Sequence, residues 1–254
     1  MKALHVAASG MNAQQTRIDN IANNLANINT TGFKKSREAF EDMFYQELTH
    51  GGESASTARV EVGSGVKLAG IEKDHSAGAL TQTDNPLHMA VVGDGYFVVN
   101  NALGEPLYTR DGTFTLNADG QLVTQSGNEV AGDIMVPMDA TSLEVTQDGT
   151  VQVILEGDTD YTVLGQIEVA TFVHAAGLRS VGGNTFEETT QSGQAEFAEL
   201  GSDITVQQGF LESSNVDVAE ELIEMIMAQR AYELNSKVVQ AADETLQLAA
   251  NLKR

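Results

Sequence analysis

Residues 20–35 read N-I-A-N-N-L-A-N-I-N-T-T-G-F-K-K, and five of the first ten are asparagines. The apolar residues among them recur at spacings of three and four, which is typical of one face of a helix. Asparagine is unfavourable inside a helix because its amide competes for nearby backbone groups. The stretch therefore predicts a helix of unusual polarity. It should stop near Thr30-Thr31-Gly32, where Gly32 can take the left-handed conformation past a helix end.

The helical spacing extends back to the start of the chain. A heptad-like seam runs through eight positions, of which one is polar: Leu4, Ala7, Met11, Gln14, Ile18, Ile21, Leu25 and Ile28. This seam predicts an N-terminal helix of roughly 25 residues, about 37 Å long.

The C-terminal end contains a second long helical pattern. Ser213-Ser214-Asn215 offers capping oxygens, and Asp217, Glu220 and Glu221 place negative charge in the first turns. Two adjacent apolar stripes follow: Val218, Leu222, Met225, Gln229, Tyr232, Ser236, Val239 and Leu246, then Met227, Ala231, Leu234, Val238, Ala241, Thr245, Leu248 and Leu252. Together they form a face too wide for one partner helix. Either both terminal helices pack on a globular middle, or they pack on each other and on neighbouring copies.

The middle of the chain is acidic and rich in glycine. Residues 45–210 hold five basic and 24 acidic residues, which is −19 of the total net charge of −22. Such a surface repels nucleic acid and anionic membranes. The absence of cysteine excludes disulfides and thiolate metal sites. No apolar stretch is long enough to span a bilayer, and the N-terminal residues do not resemble a cleavable signal peptide.

Short apolar segments separated by turn residues indicate that this middle region is β-rich. Residues 114–116 and 121–124 predict one hairpin, and residues 143–146 and 151–155 predict another. Residues 162–172 predict one longer strand. Strands this short and closely spaced favour a small barrel or sandwich. The repeated Asp-Gly pairs predict turns, because they lack the alternating ligands of a calcium loop.

Catalytic patterns are weak throughout. The five histidines lie far apart, and neither a nucleophile elbow nor a phosphate-binding loop is present. We therefore expect no enzyme activity, no cofactor and no metal. A secreted β-rich binding module or hydrolase is the alternative from another functional class.

Five segments carry a resemblance to a known family. They are A-N-N-L-A-N-I-N-T-T-G-F-K at 22–34, E-A-F-E-D-M-F-Y-Q at 38–46, Y-T-R-D-G-T-F at 108–114, G-Q-L-V-T at 120–124, and the run from G-F-L-E-S-S-N-V-D to N-S-K at 209–237. The chain resembles the bacterial flagellar axial proteins, the family of rod and hook subunits. Within that family it is most similar to the distal rod type, with proximal rod or hook-type proteins as the alternative.

The resemblance implies an α+β multidomain fold. Paired N- and C-terminal helices would form a coiled-coil-like core from residues 1–32 and 210–254. A β-rich connecting domain would comprise residues 33–75 and 186–209, and an outer all-β domain residues 76–185.

The resemblance also implies a structural function. The subunit would leave the cytoplasm through the flagellar type III export apparatus and polymerise helically into a hollow rod that crosses the periplasm. There it would transmit motor torque to the hook for motility. Its partners would be further copies of itself, the neighbouring proximal rod and hook proteins, and the outer ring proteins that surround the rod as a bushing. No nucleic acid and no direct membrane insertion are implied.

Self-assembly is expected to use the terminal helices. Asn23, Asn24 and Asn27 flank the N-terminal seam, where their amides could fix the register between subunits as a buried Asn does in a coiled coil. An alternative is that these asparagines only fray the helix end. The predicted interface comprises Leu4, Met11, Ile18, Ile21, Asn23, Asn24, Leu25, Asn27, Ile28, Leu222, Met225, Gln229, Tyr232, Leu234, Val238 and Leu248.

Overall fold

The computed structural model describes residues 2–48, 60–157, 160–201 and 203–252. These residues form two compact units. The first contains the described residues of 1–26, 36–72 and 217–254, and the second contains those of 27–35 and 73–216. The predicted α+β class is confirmed, whereas the division into three domains stays a prediction.

The first unit contains both terminal helices and two small sheets. Its elements are α1 (Lys2–Ala26), β1 (Ser36–Asp42), β2 (Tyr45–Leu48), β3 (Val60–Gly63), β4 (Val66–Lys73, whose last residue is assigned to the second unit) and α2 (Val218–Leu252). Strand β1 pairs with β4, and β2 pairs antiparallel with β3.

Asp217 is the N-cap of α2. Its Oδ1 accepts hydrogen bonds from the backbone N–H groups of Ala219 at 2.7 Å and Glu220 at 3.2 Å. This contact satisfies two donors that the helix start leaves unpaired, and the acidic first turn adds a favourable interaction with the helix dipole. The predicted start of the helix is therefore confirmed within a few residues.

Helix α1 ends earlier than the predicted seam. Its last residue is Ala26, so Asn27 and Ile28 lie in the turn that follows. Gly32 has a φ of +65°, as predicted, and a Cβ at this position would lie 2.6 Å from the backbone nitrogen of Asp111. Both the backbone conformation and the lack of space therefore require glycine here.

The second unit is composed almost entirely of strands. They are β5 (Leu80–Gln82), β6 (Met89–Val92), β7 (Tyr96–Asn100), β8 (Pro106–Thr109), β9 (Thr115–Leu116), β10 (Leu122–Val123), β11 (Glu129–Val130), β12 (Ala140–Val145), β13 (Thr150–Leu155), β14 (Thr162–Gln166), β15 (Val169–Thr171), β16 (Arg179–Gly182), β17 (Thr185–Glu187), β18 (Glu196–Phe197), β19 (Thr205–Gln208) and β20 (Phe210–Glu212). A short 3-10 helix, Ala175–Gly177, precedes β16.

The largest sheet is antiparallel and centred on β7. Its main path runs β16-β17-β8-β7-β11-β10-β9, and β15 also pairs with β7 and carries β18 on its other side. Strand β7 can hold both β11 and β15 because β11 pairs with its C-terminal residues and β15 with its N-terminal residues. Three further sheets are β12-β13-β14, β19-β6 and β20-β5.

Strand β7 is buried on both faces. Phe97 and Val99 belong to the main apolar core, whereas Tyr96 and Val98 pack in a second cluster on the opposite side. Successive side chains of a strand point to opposite faces, so a fully apolar run is expected for a strand covered on both sides.

Both predicted hairpins are confirmed, and the predicted long strand is wrong. Strand β9 pairs with β10, and β12 pairs with β13. Residues 162–172 instead form β14 and β15, which belong to different sheets. Between them, the Ile167 N–H donates to the Gly149 carbonyl, and the Ile167 side chain is buried in the main core. This contact continues the pairing of β13 with β14, and the next carbonyl, that of Glu168, accepts from the Val98 N–H of β7. The chain therefore passes from one sheet to the other between Ile167 and Glu168.

A buried charge cluster joins the segment after α1 to the end of β20. The Glu212 carboxylate accepts from Lys34 Nζ at 2.5 Å, from Arg110 Nη1 at 3.3 Å and from the Gly78 N–H at 2.8 Å. The three charged side chains are at most 2 % exposed. Lys34 also donates to the Ser76 carbonyl, and Arg110 donates to the carbonyls of residues 91 and 93. One carboxylate thus balances two buried cations, and the cluster crosslinks distant parts of the chain.

His75 lies beside this cluster in a neutral state. Its Nδ1 is 2.7 Å from the Tyr96 hydroxyl, and its ring packs edge-on against Phe186. Burial, followed by the positive charges of Lys34, Arg110 and Lys73, lowers the pKa of His75 to about 4, although Asp74 opposes the shift.

Acidification is expected to destabilise the second unit through His75. Its pKa is lower in the folded protein than in the unfolded chain. The stabilisation that this difference contributes is therefore complete above about pH 6.5 and is lost as the pH falls towards 4. We expect a loss of about 2 kcal/mol after allowing for partial solvent screening. Urea unfolding at several pH values should show this loss in the wild type and a smaller one in His75→Gln. A His174→Asn variant, changed at an exposed histidine, should behave as wild type. If the free energy of unfolding depends equally on pH in all three proteins, His75 is not the source of the acid sensitivity.

Candidate assembly interface

The two terminal helices pair antiparallel within one chain. Arg17 Nη2 donates to Glu224 Oε2 at 2.9 Å, and Asn24 Nδ2 lies 3.3 Å from Glu221 Oε2. At the other end of the pair, a Cβ added to Gly10 would lie 2.9 Å from Asn235 Nδ2. Gly10 therefore allows the helices to approach closely, and polar contacts fix their register. The predicted pairing of the helices is confirmed.

Asn24 explains part of the asparagine-rich stretch. Its Oδ1 accepts from the Ser36 N–H at 2.9 Å, and its Nδ2 donates to the Ser36 carbonyl at 3.0 Å and to Glu221. Asn20, one helical turn earlier, also donates to the Ser36 carbonyl. Two asparagine amides at a spacing of four thus fasten the start of β1 to α1. In the single chain the amide of Asn24, 2 % exposed, is used internally.

The predicted interface residues of α1 are mostly covered. Ile21 and Asn24 are buried, each 2 % exposed, whereas Asn23 is exposed. Four others are half-buried on the helix: Leu4, Met11, Ile18 and Leu25. Asn27 and Ile28 are half-buried in the turn beyond it.

The predicted interface residues of α2 are mostly exposed. Met225 is half-buried and Gln229 is exposed. Five apolar side chains are between 39 % and 63 % exposed, namely Leu222, Tyr232, Leu234, Val238 and Leu248. Ile223, Ile226 and Met227 are exposed to a similar degree. Exposed apolar surface of this extent on one helix is typical of a protein contact site.

The face of α2 that meets α1 was not predicted from the sequence. It includes Glu221, Glu224, Ala228 and Asn235, of which Ala228 is 1 % exposed. These residues are charged, polar or small, so a search for apolar stripes passes over them. A search for small residues that permit close helix approach, such as Ala228, would have found part of this face.

No cluster of metal-ligating side chains is found in the described ranges. They contain no group of three or more histidine and carboxylate side chains placed to hold a metal ion. None of the helices described is long and apolar enough to cross a membrane. Exposed apolar side chains of the first unit lie on α2 and also around Phe44, which is 92 % exposed.

Sequence comparisons identify related proteins along the whole chain. Residues 4–34 match the family described as flagella basal body rod protein, residues 90–153 match the D1 domain of flagellar hook protein FlgE/F/G, and residues 207–252 match the C-terminal part of flagellar basal body rod FlgEFG protein. The flagellar basal-body rod protein FlgG of Caulobacter vibrioides is 42 % identical over all of both chains. FlgG of Bacillus subtilis is 40 % identical, also over all of both chains. FlgF of Caulobacter vibrioides is 32 % identical over 97 % of this chain and 94 % of its own.

Proposed function

Because this chain belongs to the flagellar hook and basal-body rod protein family, we propose that it is the repeating subunit of the distal rod. It is a structural subunit of the flagellar basal-body rod. The distal assignment is supported by its relatives: in Caulobacter vibrioides, identity is higher to FlgG, the distal rod protein, than to FlgF. The relatives are structural rod proteins, which favours this function over that of a secreted binding module or hydrolase.

The exposed apolar face of α2 supports self-assembly. In the single chain α2 uses one face for α1 and leaves Leu234, Val238 and Leu248 in water. We assign this face to the helices of neighbouring copies, so that each subunit contributes a helix pair to the inner wall of a hollow rod. The sixteen residues of the predicted interface stay in this proposal with two roles: Ile21 and Asn24, each 2 % exposed, hold the helix pair together within one chain, and the others are available to neighbouring copies. Because these side chains are already about half covered, burying the rest of each one would stabilise the polymer by about 1–2 kcal/mol.

The proposal includes the environment of the rod. The subunit passes through the flagellar type III export apparatus and assembles between the proximal rod and the hook. It rotates within outer ring proteins and transmits torque across the periplasm. The family assignment supports this location, and the net charge of −22 is compatible with a rod that does not bind nucleic acid or an anionic membrane.

Electron microscopy of purified protein provides the direct test. At high protein concentration we expect hollow rods of uniform diameter, with the N- and C-terminal helices innermost. Protein that remains monomeric at every concentration, and in the presence of preformed rod seeds, would contradict self-assembly.

Added salt is expected to promote polymerisation. The strong negative charge of residues 45–210 makes neighbouring subunits repel one another, and salt screens this repulsion over a Debye length of about 8 Å at physiological ionic strength. The critical concentration, measured by sedimentation, should fall as sodium chloride rises from about 10 to 150 mM. A rise over this range would show that attractive ion pairs dominate the contacts.

A further inference from the structure

Lys73 is a half-buried cation without a carboxylate partner in the part of the chain that the structure describes. Its Nζ donates to the Lys34 carbonyl at 3.1 Å and lies 4.7 Å from the centre of the Phe33 ring. An ammonium group has three donors, and the hydrogen bond to Lys34 uses one of them. Burial lowers the pKa of Lys73, and no carboxylate opposes this effect.

The neighbouring charged groups are already used elsewhere. The carboxylate of Asp74 accepts from the Ser76 N–H at 3.0 Å. The ammonium of Lys34 is engaged with Glu212 and the Ser76 carbonyl. Neither group forms an ion pair or a direct hydrogen bond with the Lys73 ammonium in the described residues, so its remaining donors are available.

Lys73 lines a cavity of about 170 Å³ within the second unit. One wall is Phe33, and another is the hairpin turn between β16 and β17, where Gly183 and Asn184 both have positive φ. The volume corresponds to about five water molecules, which is enough for a carboxylate group. The side chain of Asn184 uses one amide hydrogen on the Thr31 carbonyl and retains a second.

We propose that this cavity binds a side-chain carboxylate from a second copy of the chain, with Lys73 as the cationic ligand and the Phe33 ring beneath it. The chain carries 36 acidic and 14 basic residues, so a carboxylate is the charged group that a neighbouring copy most readily presents. Partial burial of this cation lowers the stability of the monomer, and an ion pair with an incoming carboxylate would offset that cost. This inference rests on the proposed self-assembly and adds a specific contact to it.

The test compares Lys73→Met with Lys67→Met, which makes the same change at an exposed residue that already pairs with Glu41. We expect Lys73→Met to raise the critical concentration about tenfold or more and Lys67→Met to change it less than about twofold. Lys73→Arg, which keeps the charge, should assemble better than Lys73→Met. The melting temperature of the Lys73→Met monomer should equal or exceed that of wild type, because a half-buried cation without a counter-ion has been removed.

A competition experiment supplies an independent readout. Sodium acetate should raise the critical concentration of wild type relative to sodium chloride at equal ionic strength, and it should have no such effect on Lys73→Met. The proposal is overturned if Lys73→Met assembles like Lys67→Met, if acetate and chloride act alike on wild type, or if Lys73→Met melts several degrees lower, which would show a purely structural role. Failure of the wild type to form rods would instead contradict the proposed function.

Discussion

Replacing Glu212 by glutamine is expected to lower the free energy of unfolding of the second unit by about 3–5 kcal/mol. The substitution keeps the size of the side chain but removes the charge that balances Lys34 and Arg110, both at most 2 % exposed. Two like charges would then remain buried without a counter-ion. A loss of this size corresponds to a fall in melting temperature of roughly 6–20 °C for a unit of this size.

Glu187→Gln is the matched control for this prediction. Glu187 pairs with Arg179 at the surface of the same unit, where the two side chains are 39 % and 67 % exposed. Loss of this surface ion pair should lower the free energy of unfolding by less than about 1 kcal/mol. Both variants can be compared with wild type by urea unfolding, which does not alter ionic strength. If Glu212→Gln is no more destabilising than Glu187→Gln, the cluster contributes little to stability and its role must be sought elsewhere.

The sequence predicted the features of this fold that depend on local pattern. The terminal helices follow from apolar spacing and from the acidic first turn of α2, although the capping oxygen comes from Asp217 and not from the predicted residues 213–215. The hairpin turns follow from short runs that contain Asn, Asp and Gly. Each of these signals lies within a few residues of the structure that it specifies. The break between β14 and β15 depends instead on a change of pairing partner, from Gly149 at Ile167 to Val98 of β7 at Glu168, which no local pattern reveals.

The buried cluster was not predicted for the same reason. Lys34 and Glu212 are separated by 178 positions in the chain, and Arg110 lies between them. In the sequence each appears as an ordinary charged residue, and charged residues are usually exposed. The contact between Lys34, near the start of the second unit, and Glu212, near its end, is therefore a tertiary feature. Only the folded chain shows that these charges are buried.

The candidate interface was predicted in part. Apolar spacing located the exposed face of α2, but it did not locate the face that meets α1, because Glu221, Glu224 and Ala228 are not strongly apolar. The sequence also treated Ile21 and Leu234 as equivalent positions of one assembly interface. In the structure Ile21 is 2 % exposed and Leu234 is 62 % exposed, so the same substitution at the two sites should have different consequences.

Ile21→Asp is expected to destabilise the helix pair within the single chain. The variant loses the free energy gained by burying the Ile21 side chain, and it must also desolvate a carboxylate that has no partner. Together these effects should lower the free energy of unfolding by more than about 4 kcal/mol. Far-ultraviolet circular dichroism should report a loss of helix in the monomer. The β-rich second unit should keep its own unfolding transition if the two units unfold independently. A monomer with full helix content would show that α1 does not depend on this contact.

Leu234→Asp is expected to abolish rod formation and motility while leaving the monomer intact. Because Leu234 is already 62 % exposed, the change should alter the free energy of unfolding by less than about 0.5 kcal/mol. In the polymer each subunit would bury the new carboxylate against a neighbouring helix, at a cost of several kcal/mol for every contact.

Leu103→Asp is the matched control, since Leu103 is 83 % exposed in a turn of the second unit and lies outside the proposed interface. This variant should still assemble. Electron microscopy and swimming assays of the three proteins distinguish the outcomes. Rods formed by Leu234→Asp would place the subunit contacts away from this face of α2, whereas a loss of assembly in both variants would point to the added negative charge instead of the helix contact.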